Sequence, residues 1–174
     1  MGREETASRK RVRDFCFMYQ MDAQTLLDRA TLLLSSYRNI CYTSCLDNEE
    51  CTDSVFEEKK PIDIVLFLEE LDPHMDQTVF IRTVRERTDK NWIIEMVESA
   101  LAKVNKMPND GELYFEILNK RYVIQIPYNE PEMLEMLNIS RARYYDKRWE
   151  AMVIFGLCFW GSVIPQTKKM LTAS

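Results

Sequence analysis

Residues 141–148 of this chain carry four cations and one carboxylate, net +3 in eight positions. Arg141, Arg143, Tyr145, Lys147 and Arg148 would project from the first two turns of one helix. Long cationic donors and a phenol in that place can hydrogen-bond base edges and pair with phosphates, which is the chemistry of a DNA recognition helix. Arg141, Arg143 and Tyr145 are the expected base-reading side chains. Lys147, Arg148 and the basic stretch 9–13 are the expected phosphate contacts. Ser140 completes the set as a helix cap whose neighbouring backbone N–H groups suit a phosphate. A solvated cationic face is the plainer reading of the same pattern.

Such a set needs rigid support, and the preceding residues predict it. Pro131 can open a short helix whose apolar face is Met133, Leu134 and Leu137. Asn138 suits the left-handed position of a tight turn, where it is the usual substitute for glycine. Ile139 can plug the angle between two helices, and Ser140 caps the second. Tyr144, Ala151, Met152 and Phe155 are spaced to face inward from it. A short helix, a three-residue turn and a cationic second helix make the build of a helix-turn-helix.

The stretch NISRARYYDKRWEAMVIFG resembles the C-terminal segment of the ArpU/RinA-like phage transcriptional regulators, which is itself similar to region four of sigma factors. The matching positions are Leu137, Ile139, Ser140, Arg141, Tyr144, Tyr145, Glu150, Ala151 and Phe155. Glu130, Met133 and Leu134 fit the helix before the turn, and Tyr114, Ile117 and Leu118 fit the one before that. The resemblance spans about residues 110–165. It implies a sequence-specific regulator of prophage or mobile-element genes that binds double-stranded DNA, with RNA polymerase and a second copy of the chain as further partners. Three positions depart from the pattern: Asn138 replaces glycine, Asp146 replaces a basic residue, and Trp149 is bulkier than usual.

Composition narrows the alternatives. Among 174 residues, 46% are hydrophobic, which is enough for a core. Four glycines and six prolines leave few turns, so an all-α helical bundle is expected. Those glycines cannot spell a phosphate-cradling loop. One histidine, His74, removes most imidazole catalysis and most zinc sites. Glu69 and Glu70 would point in different directions on a helix, so they make no two-metal site. No enzyme activity, metal or cofactor is expected. Cysteines at 16, 41, 45, 51 and 158 lack zinc spacing. Their odd number, with no signal peptide, predicts free thiols in a reducing cytoplasm. The longest apolar run, residues 151–164, is too short for a membrane span, which takes about 20 residues. It reads as a core helix or a dimer face.

Three segments are expected: a flexible basic tail at 1–13, a helical region at 14–107, and a helix-turn-helix module at 108–174. One compact domain is the other arrangement these signals allow. Helices are predicted at 22–42, 61–71, 75–87, 92–106 and 113–120, and 123–126 is β-prone. Net charge is −5, but residues 47–76 hold eleven acids and two bases. That acidic stretch supports a second reading: a non-enzymatic protein-binding module or inhibitor with a basic partner.

Overall fold

The computed structural model describes residues 4–46, 60–88 and 90–173. Among them all regular structure is helical, in agreement with the all-α expectation. The α-helices are α1 Ala7–Met18, α2 Ala23–Leu46, α3 Pro61–Glu69, α4 Gln77–Arg87, α5 Lys90–Asn105, α6 Gly111–Leu118, α7 Glu130–Leu137, α8 Arg141–Cys158 and α9 Ile164–Thr172. Most of the acidic stretch, 47–59, lies outside the described residues.

Local chemistry sets the helix starts. The Asp22 carboxylate accepts the Thr25 N–H at 2.9 Å and begins α2. Asp76 accepts from Thr78 and Val79 and begins α4. Pro61 is the first residue of α3, where a missing N–H costs nothing. The turn at 108–111 passes through Asn109 with φ 70° and leads straight into α6.

One expectation fails here. Residues 4–13 are no free tail: Thr6 caps α1 through the Arg9 N–H at 3.2 Å, and Val12 and Cys16 are buried. A single buried stripe on a basic helix becomes visible only once it has a surface to dock on. The β-prone residues 123–126, too few to make a sheet by themselves, form no strand. A π-turn at Asn119–Val123 follows α6, and Arg38 of α2 donates to the carbonyls of Arg121 (2.6 Å) and Ile124 (2.8 Å). Those side-chain bonds take the place that a neighbouring strand would fill.

The expected long C-terminal helix is interrupted by a second π-turn, Phe159–Val163, before it continues as α9. Pro165 explains the interruption. It has no N–H to donate four residues back, and its ring would collide with the Gly161 carbonyl. The Ile164 N–H instead reaches the Phe159 carbonyl.

One continuous core draws on both sides of the 108–111 turn. It joins Val12 and Cys16 of α1, Leu33 and Leu34 of α2, Leu68 of α3, Phe80 of α4, Val97 of α5 and Phe155 of α8. The α8 helix lies close against α2 at Gly156, where an added Cβ would sit 2.9 Å from the Cβ of Leu26. A separate small cluster of Ile117, Met133 and Tyr144 fixes α6, α7 and the start of α8 to one another.

Candidate nucleic-acid interface

The local build around 138–140 follows the residue types closely. Asn129 starts α7 by accepting the Glu132 N–H at 2.9 Å. The helix ends at Asn138 in the left-handed conformation, φ 52° and ψ 49°. Ser140 is extended, and its hydroxyl accepts the Arg143 N–H at 3.2 Å. That cap leaves the N–H groups of Arg141 and Ala142 outside the helical ladder, facing whatever approaches the helix start.

The six expected contact residues divide by exposure. Ser140, Arg141, Arg143 and Tyr145 are exposed. Arg143 has no side-chain partner among the described residues. The Arg141 side chain is 72% exposed, and its Nε lies 2.7 Å from Oε1 of Glu130. The Tyr145 hydroxyl donates to Oε2 of the same carboxylate at 2.6 Å. That bond, ahead of every other influence, raises the Tyr145 pKa above the ordinary phenol value.

Lys147 does not join them. It is 7% exposed, with its ammonium 3.0 Å from Asp110, 3.3 Å from Glu150 and 3.2 Å from the Ser8 hydroxyl. Glu150 is fully buried and also accepts from the Tyr114 hydroxyl at 2.7 Å. Burial first, and that bond second, push the Tyr114 phenol pKa up. The expected phosphate contact at Lys147 is therefore a buried structural cation, because α1 and the start of α6 cover it. Arg148 is half-buried and donates to the Tyr122 hydroxyl at 2.8 Å. It borders the exposed set rather than leading it.

The 9–13 stretch reaches the same corner as part of α1. The Arg9 guanidinium lies 4.1 Å over the Trp149 ring and 3.5 Å from Asp146, and Arg13 lies 5.1 Å from the ring. Two of the three departures from the resembled pattern, Asp146 and Trp149, are thus the residues on which α1 docks. Arg9 also offsets the charge with which Asp146 would repel a phosphate. Lys10 and Arg11 remain exposed.

Three further residues contribute to this surface beyond the expected contact set. Ala142 is exposed between the two arginines. Glu130 bridges α7 to α8. Trp149 seats α1, for which the four-residue spacing of Arg9 and Arg13 was the available signal.

Three acids of the described part of the acidic stretch have partners within the fold. Asp72 accepts the His74 N–H at 2.9 Å, Asp76 caps α4, and Glu69 pairs with Lys168. His74 is exposed. Among the described residues no three His, Cys, Asp or Glu side chains group as metal ligands, and no helix is long and apolar enough to cross a membrane. No protein-family model, curated protein or solved structure matches this chain.

Proposed function

We propose that this chain binds double-stranded DNA sequence-specifically through the first turns of α8 and regulates transcription. The observation that carries the reading is the exposed start of α8. Arg143 and the outer guanidinium nitrogens of Arg141 have no protein acceptor among the described residues, beside a capped helix N-terminus. Guanidinium forks match the acceptor pairs of guanine in the major groove, and helix-start N–H groups suit a phosphate. Tyr145 adds a hydroxyl on the side of α8 that Arg141 occupies. Arg148 borders this face, and the exposed Lys10 and Arg11 of α1 are further cations suited to the phosphate backbone. The resemblance to ArpU/RinA-like regulators supports a role in prophage or mobile-element genes. A homodimer reading two half-sites, and a contact to RNA polymerase, belong to the same proposal.

Selection of bound fragments from genomic DNA, with the wild type and with Arg141→Ala/Arg143→Ala, tests it. The wild type should enrich a defined sequence, with affinity that falls steeply as salt rises. Loss of two side-chain contacts should weaken binding to that sequence by about 30-fold or more. Equal retention by the double variant would sink the proposal.

A further inference from the structure

Two donors of the α8 face converge on one carboxylate from the neighbouring helix. Glu130 is the first residue of α7, immediately after the cap Asn129. Its Oε1 is shielded from solvent, and the Nε of Arg141 stands 2.7 Å away, off the line of a directed hydrogen bond. Charge rather than directed geometry therefore holds Arg141 there. The outer guanidinium nitrogens of Arg141 stay open as a two-donor fork. Oε2 takes the Tyr145 hydroxyl at 2.6 Å. Arg141 and Tyr145 lie four residues apart on α8, so one carboxylate sets both side chains on the same face. An exposed ion pair of this kind adds little to folding stability. Its consequence is for what the face will accept.

We propose that Glu130 is the positioning and discriminating residue of this face, resting on the DNA reading above. It aims the Arg141 fork and the Tyr145 hydroxyl at a neutral acceptor edge, that of a guanine, and disfavours a phosphate in the same place. The two ligands differ in charge. A phosphate oxygen seated on the fork would come close to the Glu130 carboxylate, and like charges so placed suppress the wrong partner. Guanine O6 and N7 carry no net charge and take two parallel N–H donors. Holding Arg141 in place also lowers the side-chain freedom lost when the fork engages a base. Arg143 has no such anion beside it and remains open to the phosphate backbone.

The test compares wild type, Glu130→Gln and Glu130→Asp on two duplexes across a salt series. One duplex is the sequence enriched from genomic DNA, and the other is a scrambled version of it. Glu130→Gln removes the charge and keeps the length. Its affinity for the scrambled duplex should rise, and the ratio of specific to non-specific binding should contract about tenfold. Its salt slope on the scrambled duplex should steepen by about one, as one more cation meets a phosphate. Glu130→Asp keeps the charge and shortens the arm. It should keep the wild-type slope on the scrambled duplex and lose affinity for the enriched one. Melting temperatures should stay within about 4 °C of wild type, which separates these effects from a folding defect.

An unchanged ratio and slope in Glu130→Gln overturns the discrimination. Wild-type affinity of Glu130→Asp for the enriched duplex overturns the positioning. A wild-type protein that retains no duplex removes the DNA reading, and this proposal with it. That failure appears before any Glu130 variant is compared.

Discussion

Arg143 and Lys147 sit one turn apart on α8, carry the same charge, and do opposite work. The difference lies in what covers them. Ser8, Asp110 and Glu150 close around Lys147, whereas Arg143 stands in the open. Lys147 offsets two carboxylates, one of which has no exposure at all. Removing one partner of a buried pair leaves the other charge uncompensated, which commonly costs 3–5 kcal/mol. Lys147→Met should therefore lower unfolding stability by about 3 kcal/mol, near the foot of that range because Asp110 keeps some solvent. Arg143→Ala should change stability by less than about 0.5 kcal/mol, as an exposed substitution with no partner. Urea titrations of the two variants check the contrast. A Lys147→Met protein as stable as wild type would show that this network contributes little, and would return Lys147 to the set of available cations.

Helix contacts explain why two glycines of the C-terminal helical run should respond with opposite signs. At Gly156 the backbone of α2 lies so near α8 that an added methyl meets Leu26 at 2.9 Å. Helix backbones cannot give way as a side-chain tip can. Gly156→Ala should destabilise the fold by about 2 kcal/mol through overpacking. At Gly161 the nearest atom to a new Cβ is Met21 Sδ at 3.6 Å, an ordinary contact. There the better helix former should win, and Gly161→Ala should stabilise by roughly 0.5 kcal/mol. Thermal unfolding of both variants reads the two signs. The same distinction between local and tertiary causes decides how much the sequence disclosed. Asn138 in the left-handed turn and the cap Ser140 act through their own backbone, so residue type alone revealed them, whereas the Asp76 cap falls inside the helix expected at 75–87. Helix α1 was hidden because SRKRVRD reads as a solvated tail until Trp149 and Asp146 are brought beside it. The same is true of Lys147, whose cover comes from elements 37 and 139 residues away in sequence. Pro165 was visible, but its π-turn depended on the helix continuing on both sides.

For the whole molecule, the net charge of −5 is a poor guide, because two of its basic segments meet. The α1 helix and the start of α8 join through Trp149, whereas among the described acids near α3 and α4 Asp76 caps a helix and Glu69 pairs with Lys168 of α9. That meeting depends on a core built from both halves of the chain. The inner face of α8 buries Ala151, Val153, Ile154 and Phe155 in the cluster that also holds Leu33, Leu34 and Val97 from before the 108–111 turn. A fragment of residues 108–174 would expose that face, and α7 with its small three-residue cluster offers no cover of comparable size. Small domains need enough buried apolar surface to offset chain entropy, and this fragment would lose most of the surface that buries its own longest helix. The intact chain is therefore expected to unfold in one transition, with tryptophan fluorescence and far-ultraviolet circular dichroism coinciding. The isolated 108–174 fragment is expected to show no cooperative transition and to hold the enriched duplex at least about tenfold more weakly than the intact chain, since α8 would lack the core that keeps it folded. A fragment that melts cooperatively and binds as the whole chain does would establish that the C-terminal part is a self-sufficient module, with the N-terminal helices attached to it rather than completing it.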